Sequence, residues 1–200
     1  MTLADKVTSV RLFLAPAFFV VYLLPGILPS FLALPATGPL GGAAWSVPVL
    51  WVFFVVSEIT DMFDGMIARK RAEVSDFGKL FDPFADTLTQ ISYFLCFITD
   101  GILPPLLFLA VLYREFSMLF VRNLMLRKGI AQGARLGGKI KTVTYILAGA
   151  LALLASSLIR LGLSGELFGY VVFAARAVFG FSVILAIVSF LDYVRVYRKL

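Results

Sequence analysis

Apolar residues fall in six long blocks separated by short polar segments, near Val10 to Leu34, Trp45 to Thr60, Phe84 to Thr99, Leu103 to Leu126, Val143 to Ile159 and Gly169 to Val194. A helix needs about 20 mostly apolar residues to cross roughly 30 Å of hydrocarbon. The second and third blocks are short for that, which predicts that their polar extensions, Asp61 to Arg69 and Gly78 to Asp82, continue as helix into the headgroup zone or a wet cavity. The pattern predicts an all-α polytopic membrane protein, a bundle of six transmembrane helices forming one domain over residues 1–200. The first block is long and lacks a small-residue cleavage site, so it reads as a span and not as a cleaved leader.

Charge gives the bundle a direction. Fifteen of the 18 Lys and Arg lie on one side: Lys6 and Arg11 at the start of block 1, four between blocks 2 and 3, six from Arg122 near the end of block 4 to Lys141, and three after block 6; the others are Arg114, Arg160 and Arg176. The opposite connections are nearly uncharged: Pro35 to Ala44 carries no charge, Asp100 stands alone, and the third holds Arg160 and Glu166. The positive-inside rule then puts both termini and the charged loops in the cytoplasm, as in a bacterial-type inner membrane. Arg176 is expected to reach the outer headgroups.

Composition narrows the chemistry. With 60% apolar and 15% charged residues and a mean hydropathy of +0.96, this is no water-soluble domain. The single cysteine, Cys96, excludes an intramolecular disulfide and a zinc cluster, and the absence of histidine removes the commonest metal ligand and general base. Catalysis must therefore use carboxylates, hydroxyls and cations. The net charge of +6 fits bilayer orientation and contact with anionic lipid or phosphate; nucleic acid is not a partner.

The stretch from Ser57 to Gln90 breaks the apolar pattern. On a helix Asp61, Asp64, Gly65 and Ala68 stand at i, i+3, i+4 and i+7, one face, and Gly78, Asp82 and Asp86 follow at i, i+4 and i+8 on the next helix. Pro83 is tolerated if it falls in that helix's first turn. From spacing alone the stretch could be a solvated loop. Glu73 and Asp76, however, fall outside the phase that the four aspartates keep. Four carboxylates at the ends of two adjacent membrane helices would repel one another, and each would cost roughly 2.5 to 3.5 kcal/mol at the bilayer centre. Asp61, Asp64, Asp82 and Asp86, oxygen ligands with no histidine or cysteine beside them, suit Mg²⁺ or Mn²⁺, and are enough for two ions. Gly65 and Ala68 would let a bulky ligand approach the backbone, and Arg69 would neutralise a phosphate there.

These residues spell D-x-x-D-G-x-x-A-R-x8-G-x3-D-x3-D, eight fixed positions over 26 residues, which resembles the signature of the CDP-alcohol phosphatidyltransferase family. The resemblance implies a six-helix membrane enzyme, usually a homodimer, that uses divalent metal to join an alcohol to the phosphatidyl group of CDP-diacylglycerol and release CMP. Carried over by position, Asp61, Asp64, Asp82 and Asp86 would hold the metal, Asp86 would be the base, and Asp64, Gly65, Ala68, Arg69 and Gly78 would bind the CDP moiety. Further matches, Thr8, Arg11 and Pro16, the segment F-D-P-F-A-D, and Y-R-E-F with Arg122 and G-K-I-K-T, resemble members whose acceptor is glycerol 3-phosphate. Those members usually carry Asn at the position of Asp5 and Lys at that of Thr87, and this chain departs from them at both.

The acceptor pocket can also be reasoned from charge. Arg114 lies near the middle of block 4, where an isolated cation is expensive; Arg122 is two turns on, and Lys139 and Lys141 open block 5. Together they could grip the phosphate of glycerol 3-phosphate. The alternative is that Arg114 pairs with Glu115 or a motif carboxylate while the other three hold the helix ends. Phosphatidylglycerol or an inositol phosphate are the competing acceptors, and a cation transporter using the same aspartates is the reading from another class. The far halves of the spans offer such a transporter almost no charge.

Overall fold

Six α-helices account for the regular structure in a computed structural model that describes residues 3–32, 43–71, 76–129, 136–163 and 165–198. Side chains are described over 8–27, 43–60, 78, 80–129, 137–163 and 165–198. The helices are α1 (Leu3–Leu32), α2 (Ser46–Arg71), α3 (Asp76–Thr99), α4 (Pro105–Arg127), α5 (Leu136–Arg160) and α6 (Glu166–Tyr197), with no strand among the described residues. The polar extensions of the short blocks are helical as the pattern predicts: α2 runs through Asp61 to Arg71, and α3 begins at Asp76. That early start corrects one expectation. Pro83 lies well inside α3 and not in its first turn, so the helix forgoes one backbone hydrogen bond there.

Cross-helix contacts fix the directions. From α1 to α3 the pairs climb together, Thr8 with Asp82, Arg11 with Asp86, Phe18 with Tyr93 and Tyr22 with Phe97, so these helices run parallel. Between α3 and α6 they run in opposite order, Phe94 against Phe179 and the carbonyls of Gly101 and Ile102 against Arg176. Between α2 and α5 they do so again, Trp51 with Ser157 and Phe54 over Gly149. Direction therefore alternates along the chain, and α1 begins at the end of the bundle where α6 finishes. The turns after α3 and α5 are closed by Gly101 and Gly162, at φ of 69° and 72°, where any side chain would be strained.

The centre is aromatic and alanine-rich. Phe18 and Tyr22 of α1, Phe54 of α2, Tyr93, Phe94 and Phe97 of α3, Tyr145 of α5 and Phe179 of α6 are buried around the small residues Ala148, Ala152 and Ala155. Outward faces carry large apolar side chains instead of charge, including Leu106, Phe116, Phe173 and Ile184. Such a surface suits lipid and not water. Three segments are long and apolar enough to cross a membrane, Thr8–Ile27, Gly137–Arg160 and Glu166–Tyr197. The other helices carry charge within them: Asp61 and Asp64 in α2, Asp82 and Asp86 in α3, Arg114 and Glu115 in α4.

At the end away from the aspartates a polar cluster joins α1, α2, α3 and α5. Arg160 donates from Nε to Ser156 Oγ (3.1 Å), from Nη1 to Ser46 Oγ (2.9 Å) and from Nη2 to the Tyr22 carbonyl (3.0 Å), and lies 4.2 Å from the Tyr22 ring centre. The Tyr22 hydroxyl and Ser156 both donate to Asp100 Oδ2, at 2.5 and 3.1 Å. Arg176, exposed at this end, donates to the carbonyls of Ile102 (2.9 Å) and Gly101 (2.7 Å), tying α6 to the α3–α4 turn.

Candidate active site

The described part of the aspartate motif lies along the first half of α3. Gly78 is buried, and Asp82 and Asp86, one turn apart, are half-buried on the side facing α1. The Thr8 hydroxyl donates to Asp82 Oδ1 at 2.7 Å, and Arg11 donates from Nη1 to Asp86 Oδ1 as an ion pair. Both α1 residues are buried, whereas the Asp86 side chain is 38% exposed. An arginine this deeply enclosed requires a carboxylate partner, since an unpaired buried charge costs several kcal/mol. The local sequence arranges the match. Thr8, Arg11, Ala15, Phe18 and Tyr22 recur at spacings of three and four and form the buried stripe of α1, its polar pair opposite the acids and its aromatics opposite Tyr93 and Phe97.

The cations expected to hold an acceptor phosphate divide into two groups. Arg114 and Lys141 are buried and share Glu115: Arg114 donates to Oε2 at 2.7 Å, Lys141 to Oε1 at 3.0 Å, and Arg114 Nε also reaches the Ala186 carbonyl at 3.0 Å. This joins α4, α5 and α6 and realises the alternative in which Arg114 pairs with Glu115. Lys141 lies 4.6 Å from the Tyr145 ring centre. Arg122 is half-buried and Lys139 exposed on the same two helices.

Asp61, Asp64, Gly65, Ala68 and Arg69 occupy register positions of the continuous helix α2, but their side chains lie outside the described residues. Among the described residues no three acidic, cysteine or histidine side chains converge. Asp82 and Asp86 nonetheless offer what Mg²⁺ or Mn²⁺ takes: hard carboxylate oxygens at successive turns, on a side chain partly open to ligand. The sequence reading missed the holding of these acids by Thr8 and Arg11, and the cluster around Arg160. The spacing of polar and aromatic residues along α1 was the available signal for the first.

The sequence matches the CDP-alcohol phosphatidyltransferase family profile over residues 1–191. It is 35% identical over 198 residues to a Treponema pallidum (strain Nichols) protein named CDP-diacylglycerol–glycerol-3-phosphate 3-phosphatidyltransferase, covering 98% of this chain and 89% of the relative. A Bacillus subtilis (strain 168) protein of the same name is 30% identical over 150 residues, 73% of each chain. One from Rickettsia prowazekii (strain Madrid E) is 30% identical over 134 residues, 66% of this chain and 74% of the relative.

Proposed function

The chain belongs to the CDP-alcohol phosphatidyltransferase family, and we propose that it transfers the phosphatidyl group of CDP-diacylglycerol to glycerol 3-phosphate, giving phosphatidylglycerophosphate and CMP. It is a transferase and an integral membrane protein. The observation that carries the acceptor assignment is the likeness along nearly the whole chain to a relative named for glycerol 3-phosphate as acceptor. Arg114 and Lys141, gathered on Glu115 where α4, α5 and α6 meet, are cations suited to a phosphate.

In this reading Asp86 accepts the proton of the glycerol 3-phosphate hydroxyl. The freed oxygen attacks the phosphorus that bears diacylglycerol, the bond from that phosphorus to the CMP oxygen breaks, and CMP leaves. No covalent enzyme intermediate is needed. Asp61, Asp64, Asp82 and Asp86 hold Mg²⁺ or Mn²⁺, in two ions, which when bound supply charge for the pyrophosphate and the developing negative oxygens. Gly65, Ala68, Arg69 and Gly78, with Asp64, cradle the CDP moiety. Arg122 and Lys139 contact the acceptor phosphate, with Arg114 and Lys141 behind them, and their gain is positioning and charge stabilisation. All six helices span the membrane, both termini and the site face the cytoplasm across a bacterial-type inner membrane, and the chain works as a homodimer.

Purified chain in lipid vesicles, given CDP-diacylglycerol and a panel of glycerol 3-phosphate, glycerol, phosphatidylglycerol and an inositol phosphate, tests the assignment by mass spectrometry of the lipid product. Phosphatidylglycerophosphate is expected with glycerol 3-phosphate alone. Cardiolipin or a phosphatidylinositol phosphate in its place would keep the chemistry and overturn the acceptor.

A further inference from the structure

We propose that α1 belongs to the carboxylate site, with Thr8 and Arg11 as positioning residues that fix the orientation of Asp82 and Asp86. This rests on the reading of those two aspartates as metal ligands. The geometry separates the roles. Thr8 and Arg11 are 0% and 2% exposed, while the carboxylates they hold on α3 are half-buried. Each contact engages Oδ1, so each carboxylate is gripped from the α1 side. A carboxylate on a helix otherwise samples several rotamers, and a ligand set must select one; hydrogen-bond partners behind metal ligands are typically worth about 10- to 100-fold in metal affinity or activity.

The pairing depends on helix register. Thr8 and Arg11 are three residues apart and their partners four, and the match continues through Phe18 on Tyr93 at 4.4 Å and Tyr22 on Phe97 at 5.8 Å. Moving α1 by one residue turns its face by about 100° and carries both polar groups away from α3. The aromatic half of α1 thus sets the alignment, and the polar half uses it. Arg11 adds charge, and its planar guanidinium does what a lysine ammonium at that position cannot.

The test measures Mn²⁺ binding to the full-length protein in detergent, by the paramagnetic signal of free Mn²⁺, beside steady-state kinetics. Thr8→Val keeps the shape and removes the donor; it should weaken Mn²⁺ binding at least about 10-fold and lower kcat, with the KM for glycerol 3-phosphate unchanged, and Thr8→Ser should restore both. Arg11→Lys should lower kcat without moving that KM, and it stands as the second variant if Thr8→Val does not fold. Tyr22→Phe keeps the ring that sets the register and removes only the hydroxyl bond to Asp100; it should lower the Tm and leave Mn²⁺ affinity as in wild type. Wild-type Mn²⁺ affinity in Thr8→Val overturns the proposal, as does an equal loss in Tyr22→Phe, which would mean packing alone matters. A rise in KM with kcat unchanged in Arg11→Lys would make Arg11 a substrate contact and also overturn it. Wild-type protein that binds no Mn²⁺ at all overturns the metal reading, and the positioning role with it.

Discussion

Glu115 holds two buried cations, and removing its charge gives the most direct test of how this bundle tolerates them. Its carboxylate accepts from Arg114 at 2.7 Å and from Lys141 at 3.0 Å, with all three side chains at or below 10% exposure. Glu115→Gln keeps the size but leaves two neighbouring positive charges with no carboxylate between them. Breaking a buried pair in this way costs about 3–5 kcal/mol, and at 2–4 °C per kcal/mol for a chain of this size the Tm should fall by roughly 6–20 °C. The assay is thermal unfolding in detergent, with lipid-product formation measured in parallel. A companion variant separates structure from function: Arg114→Met, Glu115→Leu and Lys141→Met together replace the triad by apolar groups of similar volume, and such swaps are often neutral or stabilising. That triple variant should keep the Tm near wild type while losing turnover with glycerol 3-phosphate. A Glu115→Gln Tm within 2 °C of wild type would refute the electrostatic account. Full turnover in the apolar triple variant would refute a role for these cations at the acceptor.

Asp61→Asn, Asp64→Asn, Asp82→Asn and Asp86→Asn should each lower turnover at least about 100-fold while the protein stays folded, Asp86→Asn with a lowered Tm because buried Arg11 loses that carboxylate, and EDTA should silence the wild type until Mg²⁺ or Mn²⁺ is restored; CMP release measures this. Arg122→Ala and Lys139→Ala should raise the KM for glycerol 3-phosphate by about 10- to 150-fold, the worth of one charge-assisted contact, and leave CDP-diacylglycerol binding unchanged in a direct lipid-binding assay. Arg160→Met should lower the Tm without changing either KM, since its three hydrogen bonds join helix ends away from the aspartates.

What the sequence disclosed and what it hid follow one physical division. The helices and the aspartate phase were legible because both are periodic: an apolar block has a length, and Asp82 and Asp86 at i and i+4 share a face whatever surrounds them. Pro83 was misplaced because the start of α3 depends on Asp76, an acid that alternation could not tell from loop charge. Arg114 was ambiguous because a mid-helix cation demands a partner without naming one. Glu115, its sequence neighbour, meets that demand only because α4 and α5 lie close enough for the same carboxylate to take Lys141 too. The bonds of Arg176 to the carbonyls of Gly101 and Ile102 were not legible, because backbone carbonyls have no sequence signature.

The two polar ends of the bundle show how the same residue types serve different ends. At the far end Arg160, Tyr22, Ser46, Ser156 and Asp100 satisfy one another across four helices, with distances of 2.5 to 3.1 Å. Such a network fixes helix positions, and Asp100, exposed at its edge, is engaged through Oδ2 by both Tyr22 and Ser156. At the other end the enclosed members are Thr8 and Arg11, and the carboxylate of Asp86 is the partly open one. Charge there is held from behind and presented forward, the arrangement a site needs if its acids are to meet a cation and a phosphate without rearranging. The aromatic ladder of α1 against α3 connects the ends, so the ring contacts of Phe18 on Tyr93 and of Tyr22 on Phe97 set the register on which Thr8 and Arg11 depend.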